Sequence, residues 1–476
     1  MPARRAVPLC TVLLASGLWV LFGATSVVNY DTLYGILWGD QLLHGHAAEF
    51  TAAGAPTPHP LLTLLGAVAA PIAGDGSAAG LAVVAYAGYA ATAACAVLLC
   101  LVGLRSVGAL AGIVAAVVLI TREPVLSYGL RAYLDLPYLA LLLAALAFEL
   151  SRPRRGAPVL AMLALAGLLR PEAWLLSAAY VVWLTRTPDG WRRPALGLLA
   201  LAFAAPVLWV LSDLLLTGNA LFSFDGTRAG AERLDRPTGL SGLVTVAPQR
   251  IGEILREDGL LGALVGAGLL ATRRPKGAGV VIVATLTALA AFSVVALGGL
   301  PVIVRYLLPF GAVGALAYGY ALTGWRSEPS IPLGRAWSAG AVALLVLTVA
   351  LSATSVAGTS QVHRIDRLHA ALEDQQAAID EAREIVDGAT CGPIAVPNRR
   401  AVPLVAMWTG RPAASVVTTQ DRGVPARGTY LLPSSPEAAK GFVLDARDRD
   451  RAIPPTPAGW RTVARSAHWV AVERCG

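Results

Sequence analysis

The chain has 476 residues, 56% of them hydrophobic and only 14% charged, with a formal net charge of +8. Soluble domains carry roughly a quarter charged residues, so the composition excludes an ordinary soluble protein and predicts a polytopic α-helical membrane protein. The positive balance does not signal nucleic acid, because the arginines gather in short clusters between apolar runs and not on one basic face. Lys276 and Lys440 are the only lysines, a bias typical of GC-rich bacterial genomes.

The first apolar run, residues 7–28, lacks a small-residue cleavage site and reads as a membrane helix, not a removed signal. MPARR before it places the N-terminus in the cytoplasm by the positive-inside rule, so residues 29–60 lie outside. Residues 60–74 are short and proline-bounded and predict a helix lying in the outer interface. Further apolar segments near 78–103, 107–121, 136–151, 157–169, 172–185, 195–216, 258–272, 278–298, 303–323 and 334–356 bring the expected spans to about eleven. Every second loop is arginine-rich, as that count requires. The expectation is a multi-pass protein of the cell inner (plasma) membrane with external loops at 29–77, 121–135 and 217–257. Segment 157–169 is short for a ~30 Å hydrocarbon core. It ends in RPE, which sets Arg170 and Glu172 below the external surface, in a cavity.

From residue 358 the character changes to a charged-face helix, then to strand-like pieces: GPIAVPN, ASVVTT, GTYLLP, GFVLDA and HWVAVERC. Residues 1–357 are therefore read as the transmembrane domain. Residues 358–476 are read as a compact α/β domain, which the odd number of spans puts outside. Cys391 and Cys475 bracket that domain, and in an extracytoplasmic setting a disulfide between them is expected. Cys10, Cys95 and Cys100 fall inside apolar runs as packing residues.

Ionisable residues at membrane depth are costly and thus functional candidates, although helix-end arginines also snorkel harmlessly. Asp31 follows the first helix, with Asp40 nine residues on. At ~100° per residue the two face opposite ways on one helix, so only Asp31, nearer the membrane, is expected to face a cavity. Its structural alternative is an N-cap. His59, held between prolines in TPHP, presents an imidazole or serves structure, and His44 and His46 are solvated. The stretch TREPVLSYGLRAYLDLP carries Arg122, Glu123, Arg131 and Asp135, either as a self-neutralising network or as phosphate-binding guanidiniums with carboxylates for a metal or a sugar. Arg131, Arg170 and Arg305 all stand at the outer leaflet, against the positive-inside rule, which points to an anionic ligand there. Asp213 and Asp225, in the loop 212–240, read as solvated.

In this order, NYDTLYGILWGDQLL, TPHPLL, TREPVLSYGLRAYLDLP, LLRPEAW and RYLLP resemble the GT-C superfamily of membrane glycosyltransferases over roughly residues 1–356. The resemblance is to the bacterial branch that includes the lipid A aminoarabinose transferase and the protein O-mannosyltransferases. It implies a GT-C-like fold and a donor made of a sugar on a polyprenyl phosphate, a membrane lipid, with a cell-envelope acceptor. It implies Asp31 as general base and Asp40, His59, Glu123, Asp135 and Glu172 around the acceptor or behind it. Arg131, Arg170 and Arg305 would bind the donor phosphate. Many members carry an adjacent acidic pair where Tyr30 and Thr32 flank Asp31 here; a divalent metal, if used, would take Asp31 and Glu123. No Gly-rich phosphate loop is present, in keeping with a donor that is not a nucleotide sugar. The competing expectation is a transporter or flippase of an anionic lipid-linked substrate, against which stands the confinement of the charges to one side.

Overall fold

The computed structural model describes residues 3–52, 54–187, 190–353, 360–439 and 452–476. The chain opens with α1 (Ala3–Leu21), α2 (Tyr30–Leu43), α3 (Pro60–Ala73), α4 (Ala78–Ser106) and α5 (Ala109–Ile120). It continues through α6 (Glu123–Leu130), α7 (Asp135–Ser151), α8 (Ala157–Gly167), α9 (Glu172–Thr185), a two-residue hairpin pair β1 (Arg186–Thr187) and β2 (Gly190–Trp191), and α10 (Leu196–Thr217). Then come α11 (Phe222–Arg233), the single turn α12 (Gly239–Ser241), α13 (Ala247–Arg273), α14 (Ala278–Leu297), α15 (Leu308–Thr323) and α16 (Ile331–Ala353).

Among the described residues each apolar run contains a helix, but not all have crossing length. Among the described residues, five spans are long and apolar enough to cross a membrane: α4, α10, α14, Val304–Ser327 around α15, and Ile331–Leu351 in α16. The pair α5 and α6 makes a sixth if counted as one span, bent by 67° at its break. At 1.5 Å per residue α8 covers only ~16 Å, about half of a hydrocarbon core. The first helix stops at Leu21 and not near 28, because Gly23 and Ala24 take left-handed φ values of 70° and 54°. Residues 25–29 then run buried and non-helical toward α2.

Two features fix the elements that matter below. The first is close backbone packing of α2 on α3. A Cβ on Gly66 would stand 1.9 Å from the Gly35 carbonyl oxygen, and one on Gly39 would stand 2.1 Å from the Ala67 nitrogen. Only glycine permits that approach. The second is a buried bidentate pair in which Arg122, at the head of α6, donates to both Asp258 oxygens at 3.1 and 2.9 Å. Asp258 follows Arg256, where α13 breaks with φ 64° and ψ 177°.

The C-terminal portion begins with α17 (Gln361–Asp387), whose N-cap Ser360 Oγ accepts from the His363 amide at 3.2 Å. The strands β3 (Ile394–Val396), β4 (Val417–Thr418), β5 (Gly428–Pro433), β6 (Arg461–Arg465) and β7 (Trp469–Arg474) follow, with α18 (Val402–Thr409) between β3 and β4. The sheet order is β4-β3-β5-β7-β6, parallel from β4 to β5 and antiparallel beyond. Four of the expected strand pieces are present; GFVLDA lies outside the described residues. The strand β6 is an addition: its exposed, arginine-flanked edge carries no apolar alternation to betray it. A disulfide joins Cys391 to Cys475.

This sheet is not separate in packing. One apolar core runs from Leu18 of α1 and Phe22 just after it through Tyr34 and Trp38 of α2 to Leu372 and Ile379 of α17, Met407 of α18 and Trp469 of β7. Polar contacts cross the same seam. Gln376 Oε1 accepts from the Ser26 amide and hydroxyl at 2.9 and 2.8 Å, and Trp408 Nε1 donates to the Gly76 carbonyl at 3.1 Å.

Candidate active site

The site begins with a helix cap. Asn29, not Asp31, caps α2: its side-chain oxygen accepts from the Asp31 and Thr32 amides at 2.9 and 3.3 Å. Its Nδ2 donates to the Arg131 and Ala132 carbonyls at 3.0 and 2.8 Å. The Thr32 hydroxyl adds a bond to Ala132 at 2.7 Å. These bonds clamp the start of α2 to the turn between α6 and α7, the turn that delivers Asp135. Relieved of capping, the Asp31 side chain is available for other work, and its position in the first turn suits a negative charge.

Four elements converge on that carboxylate. Arg305, in the 3-10 turn Val304–Leu307 ahead of α15, donates through Nη1 to Asp31 Oδ2 at 2.7 Å. The same Nη1 lies 3.7 Å from Asp135 Oδ2. Arg170, between α8 and α9, lies 3.3 Å from Asp135 Oδ1 and 3.8 Å from Glu172. Tyr306 lies against the two arginines, its ring centroid 3.5 Å from the Arg170 guanidinium carbon and 5.5 Å from that of Arg305. Asp135, Arg170 and Glu172 are all buried. The result is an alternating chain of charge, Asp31–Arg305–Asp135–Arg170–Glu172, assembled from four separate stretches of sequence. Asp31 Oδ1 takes no hydrogen bond from a described residue, and Asp31 lines a cavity of about 540 Å³. That volume is in the usual range for a small-molecule site, roughly 300–1,000 Å³.

Burial alone would raise the Asp31 pKa. The Arg305 charge and hydrogen bond, with His59 and Arg236 beyond, outweigh it and hold the carboxyl below its ordinary range. His59 lines the same cavity, its ring edge-on to Trp209 at 5.5 Å. Burial pushes its imidazole down to about 4 despite the Asp31 charge, so it is neutral near pH 7.

The expected site residues divide by position. Asp31, His59, Arg131, Arg170, Glu172 and Arg305 line the cavity, and Asp135 stands directly behind it. Asp40 does not join them: it is partly exposed beside His44, 3.4 Å away, toward the other end of α2. Glu123 is not in the lining either, and sits among the charges of Arg131, Arg256, Arg364 and Arg367. Asp31 and Glu123 are therefore not brought together, and Asp31 already holds a guanidinium. These residues do not fit a divalent metal. Among the described residues, the one grouping of three metal-type ligands is Cys391, Glu473 and Cys475, whose thiols form the disulfide.

Asp213, read as solvated, is buried on the cavity wall, where it accepts from the Ser223 amide and hydroxyl at 2.9 and 2.7 Å. Asp225 is exposed. Sequence reasoning did not reach Arg233, Arg236, Gln375, Arg399 or Arg400, which also line the cavity. The last three come from the C-terminal portion, and nothing local in NRRAV or EDQQA marks them.

This arrangement, a multi-helix portion whose early acidic segment and α6–α7 turn meet under a small sheet, is a fold the chain shares with solved structures. The crystal structure of ArnT from Cupriavidus metallidurans bound to undecaprenyl phosphate is similar at a TM-score of 0.56 and 14% identity, over 97% of each chain. The oligosaccharyltransferase from Archaeoglobus fulgidus, tethered to an acceptor peptide, is similar at a TM-score of 0.50 and 12% identity. That match covers 85% of this chain and 63% of the other, so this chain spans less than two thirds of it. No protein-family model matches the sequence, and no curated protein matches it closely.

Proposed function

We propose that the protein is an integral membrane glycosyltransferase that moves a sugar from a polyprenyl-phosphate donor to a hydroxyl of an extracytoplasmic cell-envelope glycan, lipid or protein. The observation that carries this reading is the Asp31–Arg305 contact at 2.7 Å on a cavity wall, with the second carboxylate oxygen left open. Support comes from the fold shared with ArnT, which binds undecaprenyl phosphate.

In the reaction Asp31 Oδ1 takes the proton of the acceptor hydroxyl, and the acceptor oxygen bonds to the anomeric carbon. The bond from that carbon to the phosphate oxygen breaks, and polyprenyl phosphate leaves with the electron pair, with inversion at carbon. General-base assistance of this kind is typically worth about 10²–10⁴-fold. Arg305 and Arg170 stabilise the charge growing on the leaving phosphate from a buried, water-poor wall. Asp135, held between both arginines, orients them and is not free to act as base.

The test supplies purified protein with radiolabelled polyprenyl-phosphate sugars and cell-envelope acceptors, wild type beside Asp31→Asn. Label should appear in a new product with wild type and fall by about 10²-fold or more in the folded variant. Equal transfer by both proteins would remove Asp31 from the chemistry. Failure of wild type with every donor tried would favour a transporter of a lipid-linked anion.

A further inference from the structure

Of the three arginines expected at a phosphate, two are committed to carboxylates and one is not. Arg305 and Arg170 are spent on Asp31, Asp135 and Glu172. Arg131 has no carboxylate of a described residue within ion-pair distance, yet it is firmly placed. Its Nε donates to Gln375 Oε1 of α17 at 3.1 Å and its Nη1 to Ser127 Oγ at 2.9 Å and the Ser127 carbonyl at 3.4 Å. Its own carbonyl accepts from the Asn29 amide at 2.9 Å. The remaining Nη2 donates to no described atom, and Arg131 lines the cavity. Arg399 and Arg400 line that cavity too, and the Arg400 charge bears on Arg131. A guanidinium fixed on two of its nitrogens and open on the third, in a cationic wall, is arranged for an oxyanion.

We infer that Arg131, oriented by Gln375 of the C-terminal portion, forms a second anion subsite in the cavity, distinct from the Arg170–Arg305 site, and that it takes a phosphate group. That phosphate belongs either to the acceptor or to a diphosphate-linked lipid, and the chemistry of recognition is the same. The inference rests on the glycosyltransferase reading for its second ligand, but the subsite itself can be tested without it.

The experiment uses the full chain in lipid nanodiscs, as wild type, Arg131→Gln and Gln375→Ala. The last leaves the Arg131 charge in place and removes only its orienting partner. Equilibrium binding is measured for polyprenyl phosphate and polyprenyl diphosphate, and thermal midpoints are taken with and without millimolar inorganic phosphate. If the lipid supplies the second phosphate, wild type prefers the diphosphate by about tenfold. The preference falls toward one in Arg131→Gln and partway in Gln375→Ala. If the acceptor supplies it, the two lipids bind alike, but inorganic phosphate raises the midpoint of lipid-loaded wild type and not of Arg131→Gln. Equal loss of both lipids in Arg131→Gln would place Arg131 in a single donor site and overturn the inference, as would a wild type indifferent to both probes. Failure of either lipid to bind wild type would overturn the donor reading alone, since the phosphate arm on lipid-free protein still decides the subsite.

Discussion

Asp31 Oδ2 and Asp135 Oδ2 lie against the same nitrogen of Arg305, at 2.7 and 3.7 Å. In the proposed reaction the donor phosphate reaches for that guanidinium as well, and so competes with Asp31 for it. Loosening the pair weakens the influence that lowers the Asp31 pKa, so the base strengthens when the donor is in place. Because the folded-state pKa is depressed, the pair stabilises the fold fully above the ordinary aspartate value near 3.9. That contribution fades as pH falls through the lower folded value. Arg305→Lys keeps a charge but loses the planar fork. Its acid limb in a pH profile of kcat/KM should move to higher pH than that of wild type, and an unmoved limb would show that Arg305 does not set the Asp31 pKa. The sequence alone singled out Asp31, Arg170 and Arg305, because charge at a span end is conspicuous among apolar residues. It could not pair them, since nothing in a linear chain says that residue 31 meets residue 305. Asn29 was equally hidden: Asp31 itself makes a fair cap on paper, and only the turn at Ala132 shows which residue does the capping.

The helix pair α2 and α3 carries Asp31 and His59 into the cavity, and its spacing depends on three glycines with no other task. Gly66→Ala would place a methyl carbon 1.9 Å from the Gly35 carbonyl oxygen and 2.3 Å from its carbon. Backbone cannot yield there as a side-chain end could. Overpacking of this kind typically costs about 1–3 kcal/mol, and here it also moves Asp31 relative to Arg305. Gly66→Ala should therefore lower both the thermal midpoint and the transfer rate, whereas alanine at Gly279 of α14, which has open space around it and no positive φ, should leave the helix contact intact. Equal effects at the two sites would refute the spacing argument. The apolar run 60–74 was legible as a helix. Its partner was not, because small residues in an apolar run read the same whether they face lipid or another backbone.

At the scale of the whole molecule, the boundary drawn at residue 357 marks a change of composition and not a break in packing. Trp469 sits in the core shared with α1 and α2, and the residue before it is held by α17. The His468 ring contacts Glu381 at 2.8 Å and Asp374 at 3.1 Å. Burial alone would lower its pKa; the hydrogen bonds and charges of those two carboxylates outweigh that and raise it. A raised histidine contributes stability that is complete below the unfolded value near 6.5 and is lost as pH rises through the folded one. The thermal midpoint should accordingly fall as pH rises above about 6.5, and His468→Gln should flatten that slope; an unchanged slope would sink the idea. The strand order has a consequence in time. Lying between β5 and β6, β7 is made after every other strand described, and it brings Trp469 to the core on which α17 and α18 pack. A nascent chain thus contains α2, α7 and α15, and with them the proposed base, before the strand that anchors Trp469 in the core shared with α17 and α18 has been made. On the proposed reaction, a chain cut short before β7 should keep that carboxylate and lose transfer, because the wall over it would lack its anchor.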